Sequence, residues 1–214
     1  MCFSFISSIT SYSIGLLAAI FAIKTQQIPL GFLILFYCQI QLAEALIWRG
    51  IDTGKLSLNK LGTTLAKYSL ALHMFGLGIG IYLVYKESIP LLVGALFFLS
   101  VCLYYYYRDN SVYTYPYKSC VKRECQNNDN RLVWKFPVLW YSVFALVTMA
   151  FYFLYVKDDS LVSRIVVISF FIITALFSGL TSRKEMSFPT LWCYMSAIAA
   201  PILVLINYNL NRKS

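Results

Sequence analysis

The feature that most restricts this chain is its succession of apolar runs, each about the 20 residues that cross a bilayer as a helix. The first, residues 3–23, contains no Asp, Glu, Lys or Arg, and the second, residues 28–48, contains only Glu44. Further runs follow at 64–85, 89–107, 132–156, 161–180 and 188–208. Only 13% of the 214 residues are charged and 59% are hydrophobic, against about 25% charged in a soluble domain. Most of the helices must therefore meet lipid. The pattern predicts an all-α polytopic membrane protein: one domain over 1–214, a bundle of seven transmembrane helices, and a long polar loop at 108–131. No basic region precedes the first run and no small-residue cleavage site follows it, so it reads as a retained helix, not a signal peptide. Pro29 and Pro90 suit first turns, and Pro201 should kink the seventh helix.

The formal charge is +9, but the basic residues cluster between apolar runs and form no recognition face. Nucleic acid is therefore not a predicted partner; the lipid bilayer is. With seven spans, the loops on the N-terminal side hold twelve of the 18 Lys and Arg and the opposite loops six. The positive-inside rule then predicts a cytoplasmic N-terminus and an outside C-terminus.

At helical spacing Tyr37, Gln41, Glu44 and Trp48 form one stripe of the second helix. An acid in hydrocarbon faces protein or water, not lipid, so this helix should be central. The first helix offers a small-residue face of Ser4, Ser8, Ser11, Gly15, Ala18 and Ala22 for close packing. On the third, Ser69, His73, Gly76 and Gly80 align, the last two as a GxxxG pair. Glu44 lies about 7 Å below the level of Arg49, and His73 about 9 Å below Lys67 if that lysine reaches the interface. The two are expected to share a depth and meet. An earlier start to the third helix would sink His73 deeper and weaken the pairing. A carboxylate with an intramembrane imidazole relays protons, binds a cation or orients a ligand. The plainer role is a pair that fixes helix packing.

Cys2 begins the first helix on the Glu44 side, so Cys2, Glu44 and His73 form a candidate transition-metal set, with lipidation of Cys2 as the alternative. Cys120 and Cys125 sit among Lys118, Lys122 and Arg123, cations that activate thiols; the competing reading is a solvated loop. Cys38, Cys102 and Cys193 read as packing residues, and Asp158 and Asp159 as a solvated cap in a short turn. The seventh run has no lysine for a retinal Schiff base, one histidine precludes HExxH chemistry, and there is no P-loop or GxSxG.

The opening Met1-Cys2-Phe3-Ser4, with Gln39, Gln41, Glu44 and Trp48 in the second helix, resembles a family of uncharacterised multi-pass membrane proteins of bacteria and large DNA viruses. The resemblance covers roughly the first quarter of the chain. It implies a seven-helix protein in which the N-terminal tetrapeptide and the second-helix acid matter together, and it implies no activity. The leading expectation is a small transporter or channel-like protein. Glu44 would accept a small ion or proton, His73 would be its partner, and Gln41 and Tyr37 would line the site. A non-catalytic scaffold and a membrane-embedded metal protein or enzyme are the alternatives. The sequence names no cofactor and leaves a homo-oligomer open.

Overall fold

A computed structural model describes residues 4–108, 138–181 and 188–212, and among them every element is a helix. The helices are α1 (Phe5–Lys24), α2 (Ile28–Asp52), α3 (Leu56–Tyr85), α4 (Ile89–Arg108), α5 (Val138–Tyr155), α6 (Leu161–Thr181) and α7 (Phe188–Arg212). Four of these are long and apolar enough to cross a membrane: α1, α2, residues 161–178 of α6 and residues 192–212 of α7. α3 makes a fifth if its two parts, bent by 49°, count as one span. This marks the chain as a multi-pass membrane protein. The outward faces agree. On α4, Leu92, Leu96, Leu99 and Leu103 recur at i, i+4, i+7 and i+11 and all are exposed. A leucine stripe turned away from the protein core is suited to lipid.

Each boundary has a local cause. Ser4 caps α1 reciprocally with Ser7: the Ser4 hydroxyl accepts from the Ser7 N–H, and the Ser7 hydroxyl from the Ser4 N–H, both at 3.2 Å. Pro29 opens α2, where its missing N–H costs nothing. Lys86 takes a left-handed conformation (φ 57°) and ends α3.

α3 starts at Leu56, eight residues before the expected 64. Its first part mixes Leu56, Leu61 and Leu65, which are exposed, with Asn59, Thr63 and Ala66, which are buried. Tertiary burial thus extends the helix where the hydropathy pattern is weak. Thr63 and Ser69 return their hydroxyls to the Asn59 and Leu65 carbonyls at 2.8 and 2.7 Å. Such back-bonding bends helices and accounts for the bend beside Ser69.

α2 is the most buried of the spans, with 67% of its span window inside the protein. It packs chiefly on α3, then α1, and also meets α7. The helices alternate in direction, so one end of the bundle gathers the α1–α2, α3–α4 and α5–α6 turns with the C-terminal end of α7. Contacts at that end show this: Lys157 pairs with Glu87 at 3.5 Å, the Asp158 N–H donates to the Tyr85 hydroxyl at 3.3 Å, and Asn207 donates to Gln27 at 2.9 Å.

Candidate functional site in the bundle core

Three helices meet closely at Gly15. A Cβ there would lie 2.8 Å from the Cβ of Cys38 on α2 and 3.5 Å from that of Ala197 on α7. At the N-terminal end of α1 the Arg49 guanidinium covers the Phe5 ring at 5.6 Å. These two contacts set the α1–α2 register and bring Ser11 and Ser8, on the Gly15 face, level with Gln41 and Glu44. Ser8, Ser11, Gln41 and Glu44 are all fully buried, and Trp48 nearly so. Among the described residues, the hydroxyls of Ser8 and Ser11 and the indole nitrogen of Trp48 have no hydrogen-bond partner. Buried polar atoms left this way are uncommon in a native interior, where they ordinarily mark bound water or an ion.

His73 is elsewhere. Gly62 packs at Ala43 and Ile47, Gly76 at Phe36, and Gly80 at Pro29. That antiparallel register puts His73 beside the Phe36–Tyr37 turn, about 10 Å along α2 from Glu44. The imidazole stacks on Tyr37, with centroids 4.6 Å apart and planes 32° from parallel. Its Nε2 has no hydrogen-bond partner among the described residues, so the expected Glu44–His73 contact is replaced by a ring contact. The reason is the early start of α3, which leaves Lys67 mostly buried within the helix and closer to the level of Glu44.

Tyr37 organises a second cluster that sequence reasoning missed. Its ring meets Phe171 at 5.6 Å and Trp192 at 6.0 Å. Its hydroxyl donates to Ser196 at 3.4 Å and lies beside the Cys193 thiol. Ser196 and Thr174 are 3.1 Å apart, and the Trp192 indole donates to Thr174 at 3.1 Å. Cys193 is buried, as a packing residue should be, and lies within electrostatic reach of Glu44. Cys38 is buried as expected, whereas Cys102 is only partly buried. The signal for the α7 residues was the small and polar series Cys193, Ser196, Ala200 and Asn207 at i, i+3, i+7 and i+14, a quieter stripe than one with an acid.

The opposite end holds a third polar group. Asp159, expected as a solvated cap, accepts from Tyr152 at 2.8 Å, Asn211 at 2.6 Å and Asn207 at 3.4 Å. Asn207 also binds Gln27 and accepts from Ser163. Burial pushes the Asp159 carboxyl up, while hydrogen bonds from Tyr152, Asn207 and Asn211 and the Arg164 charge pull it back. Asp158 is exposed and fits the cap reading.

Of the proposed metal set, Cys2 lies outside the described residues, and Glu44 and His73 are apart. Among the described residues no three of His, Cys, Asp and Glu gather as ligands. Cys120 and Cys125, with most of the 108–131 loop, also lie outside the described residues. In comparisons with known proteins, no family, no curated protein and no solved structure matches this chain.

Proposed function

We propose that this is a small transporter or channel-like protein that crosses the membrane seven times and takes a small cation or proton at Glu44. Gln41, Ser8, Ser11 and Trp48 line that site, and the Tyr37–His73 stack forms its floor. The observation that carries this reading is the set of partnerless, fully buried Ser8 and Ser11 hydroxyls at the level of an equally buried carboxylate. A purely structural polar cluster satisfies its own groups. The seven described helices and their alternating turns support the span count. The bias of Lys and Arg toward the N-terminal end supports a cytoplasmic N-terminus. The resemblance carried by Met1–Ser4, Gln41, Glu44 and Trp48 agrees with a role shared by the N-terminus and this acid.

The test is flux into liposomes holding the purified full chain. Glu44→Gln should abolish pH-dependent flux while the variant still elutes as folded protein. Unchanged flux would sink the proposal. A second reading, a membrane scaffold, is favoured by the complete burial of Glu44. It expects an impermeable wild type and a Glu44→Gln variant that unfolds more readily.

A further inference from the structure

We infer that the ligand of Glu44 is a proton delivered on a small group of bound waters, and not a bare metal cation. The inference rests on the transport reading above and concerns the hydrogen-bonding character of the lining. The Trp48 indole N–H can only donate, the Ser8 and Ser11 hydroxyls both donate and accept, and the Gln41 amide offers one of each kind. A sodium or potassium ion is satisfied by oxygen lone pairs alone. It would leave the Trp48 N–H buried without an acceptor and facing a positive charge. Water meets both demands: it accepts from Trp48 and donates to a hydroxyl or carboxylate oxygen. A buried water makes about three such bonds, and Ser8, Ser11 and Trp48 supply them within one or two helical turns of Glu44.

The step is a simple transfer. A hydronium ion in this group gives its proton to a Glu44 carboxylate oxygen. One O–H bond breaks on the hydronium, one forms on Glu44, and neutral water remains. Each element packed around the acid contributes to its electrostatics. Cys193 approaches from α7, and Lys67 lies near its level on α3. Arg49 lies toward the C-terminal end of α2, Tyr37 and His73 lie about two turns the other way, and α1 presents only the uncharged Ser8 and Ser11. Passage toward the other end is sealed. Leu30, Leu33 and Ile34 of α2 and Leu203 and Val204 of α7 are buried apolar residues between the Tyr37 cluster and Gln27–Asn207. Glu44 therefore exchanges with the N-terminal side.

The full chain in liposomes, with a pH-sensitive dye inside, is driven in turn by a proton gradient and by a sodium or potassium gradient. Proton flux should depend on Glu44 and be indifferent to which metal ion is present. Trp48→Phe keeps an aromatic ring and deletes the donor together with the five-membered ring that carries it. It should slow proton flux about tenfold, what one hydrogen bond to a charged group is worth. The same variant should shift the infrared carboxyl band that Glu44→Gln removes, a change that a packing role for Trp48 does not produce. Sodium or potassium flux without proton flux would overturn this inference and leave Glu44 as a cation site. No Glu44-dependent flux of any ion, with no titrating carboxyl band, would overturn both. An unshifted band and unchanged rate in Trp48→Phe would overturn the water relay alone.

Discussion

At the scale of single residues, the buried Glu44 and the half-buried Asp159 differ in how they are held. Asp159 is surrounded by neutral donors, and burial raises its carboxyl above the usual range. A raised folded-state value means that the folded protein holds this proton more tightly than the unfolded chain. Its contribution is therefore complete below the unfolded carboxyl's pKa and is lost as pH climbs through the folded value. Thermal unfolding in detergent, followed between about pH 3 and pH 7, should show that decline, and Asp159→Asn should flatten it. At the other end, Ser11→Ala separates a wet interior from a dry one. In a dry interface, deleting a partnerless hydroxyl relieves about 1–3 kcal/mol of desolvation and raises the melting temperature. With bound water at Ser11 the variant should gain nothing, and calorimetry decides. Glu44 was legible in the sequence because a lone acid in an apolar run stands out. Asp159 was not, because its partners Asn207 and Asn211 lie about 50 residues away and nothing local announces them.

At the scale of elements, the α2–α3 crossing carries the architecture. Its GxxxG pair was readable from spacing, and both glycines do lie on the contact: a Cβ on Gly80 would stand 2.7 Å from the Pro29 Cα. Backbone cannot yield as a side chain does, so Gly80→Val should destabilise the bundle by about 1–3 kcal/mol, measurable as easier unfolding in denaturing detergent. The matching of Glu44 with His73 failed for a definable reason. The shared depth requires Lys67 at the end of α3, and the helix begins at Leu56 instead. Asn59 and Thr63 are buried on α2, and that burial draws the helix back to Leu56, so Lys67 lies inside. Hydropathy alone does not register polar residues that find a helix instead of water, and every depth counted from the wrong end shifts with them.

At the scale of the whole molecule, polar groups occupy both ends of the core and an apolar layer divides them. That layer is only about two turns thick, with Leu33 and Leu203 among its buried members. Leu203→Asn puts a hydrogen-bonding group in the seal and should give liposomes a steady proton leak that does not saturate. An unchanged passive leak would show that the layer is not the barrier. The all-helical class and the apolar runs were legible because they are local sums over sequence. The division into two polar clusters was not, since it depends on α7 meeting α1 and α2, which lie far from it in the sequence.

That placement of α7 has a consequence for biogenesis. Ser196 and Cys193 close the Tyr37 side of the site, and Asn207 ties Gln27 to Asp159, yet α7 is synthesised after every other described helix. Until it arrives, α1, α2 and α3 can pair in the membrane, but Tyr37 and the turn at Gln27 lack their permanent neighbours. A half-made chain therefore differs from a finished one by polar surface left open to lipid or to insertion factors. Membrane quality control can read that difference, and α7, made after the other described helices, ends it at both ends of the bundle.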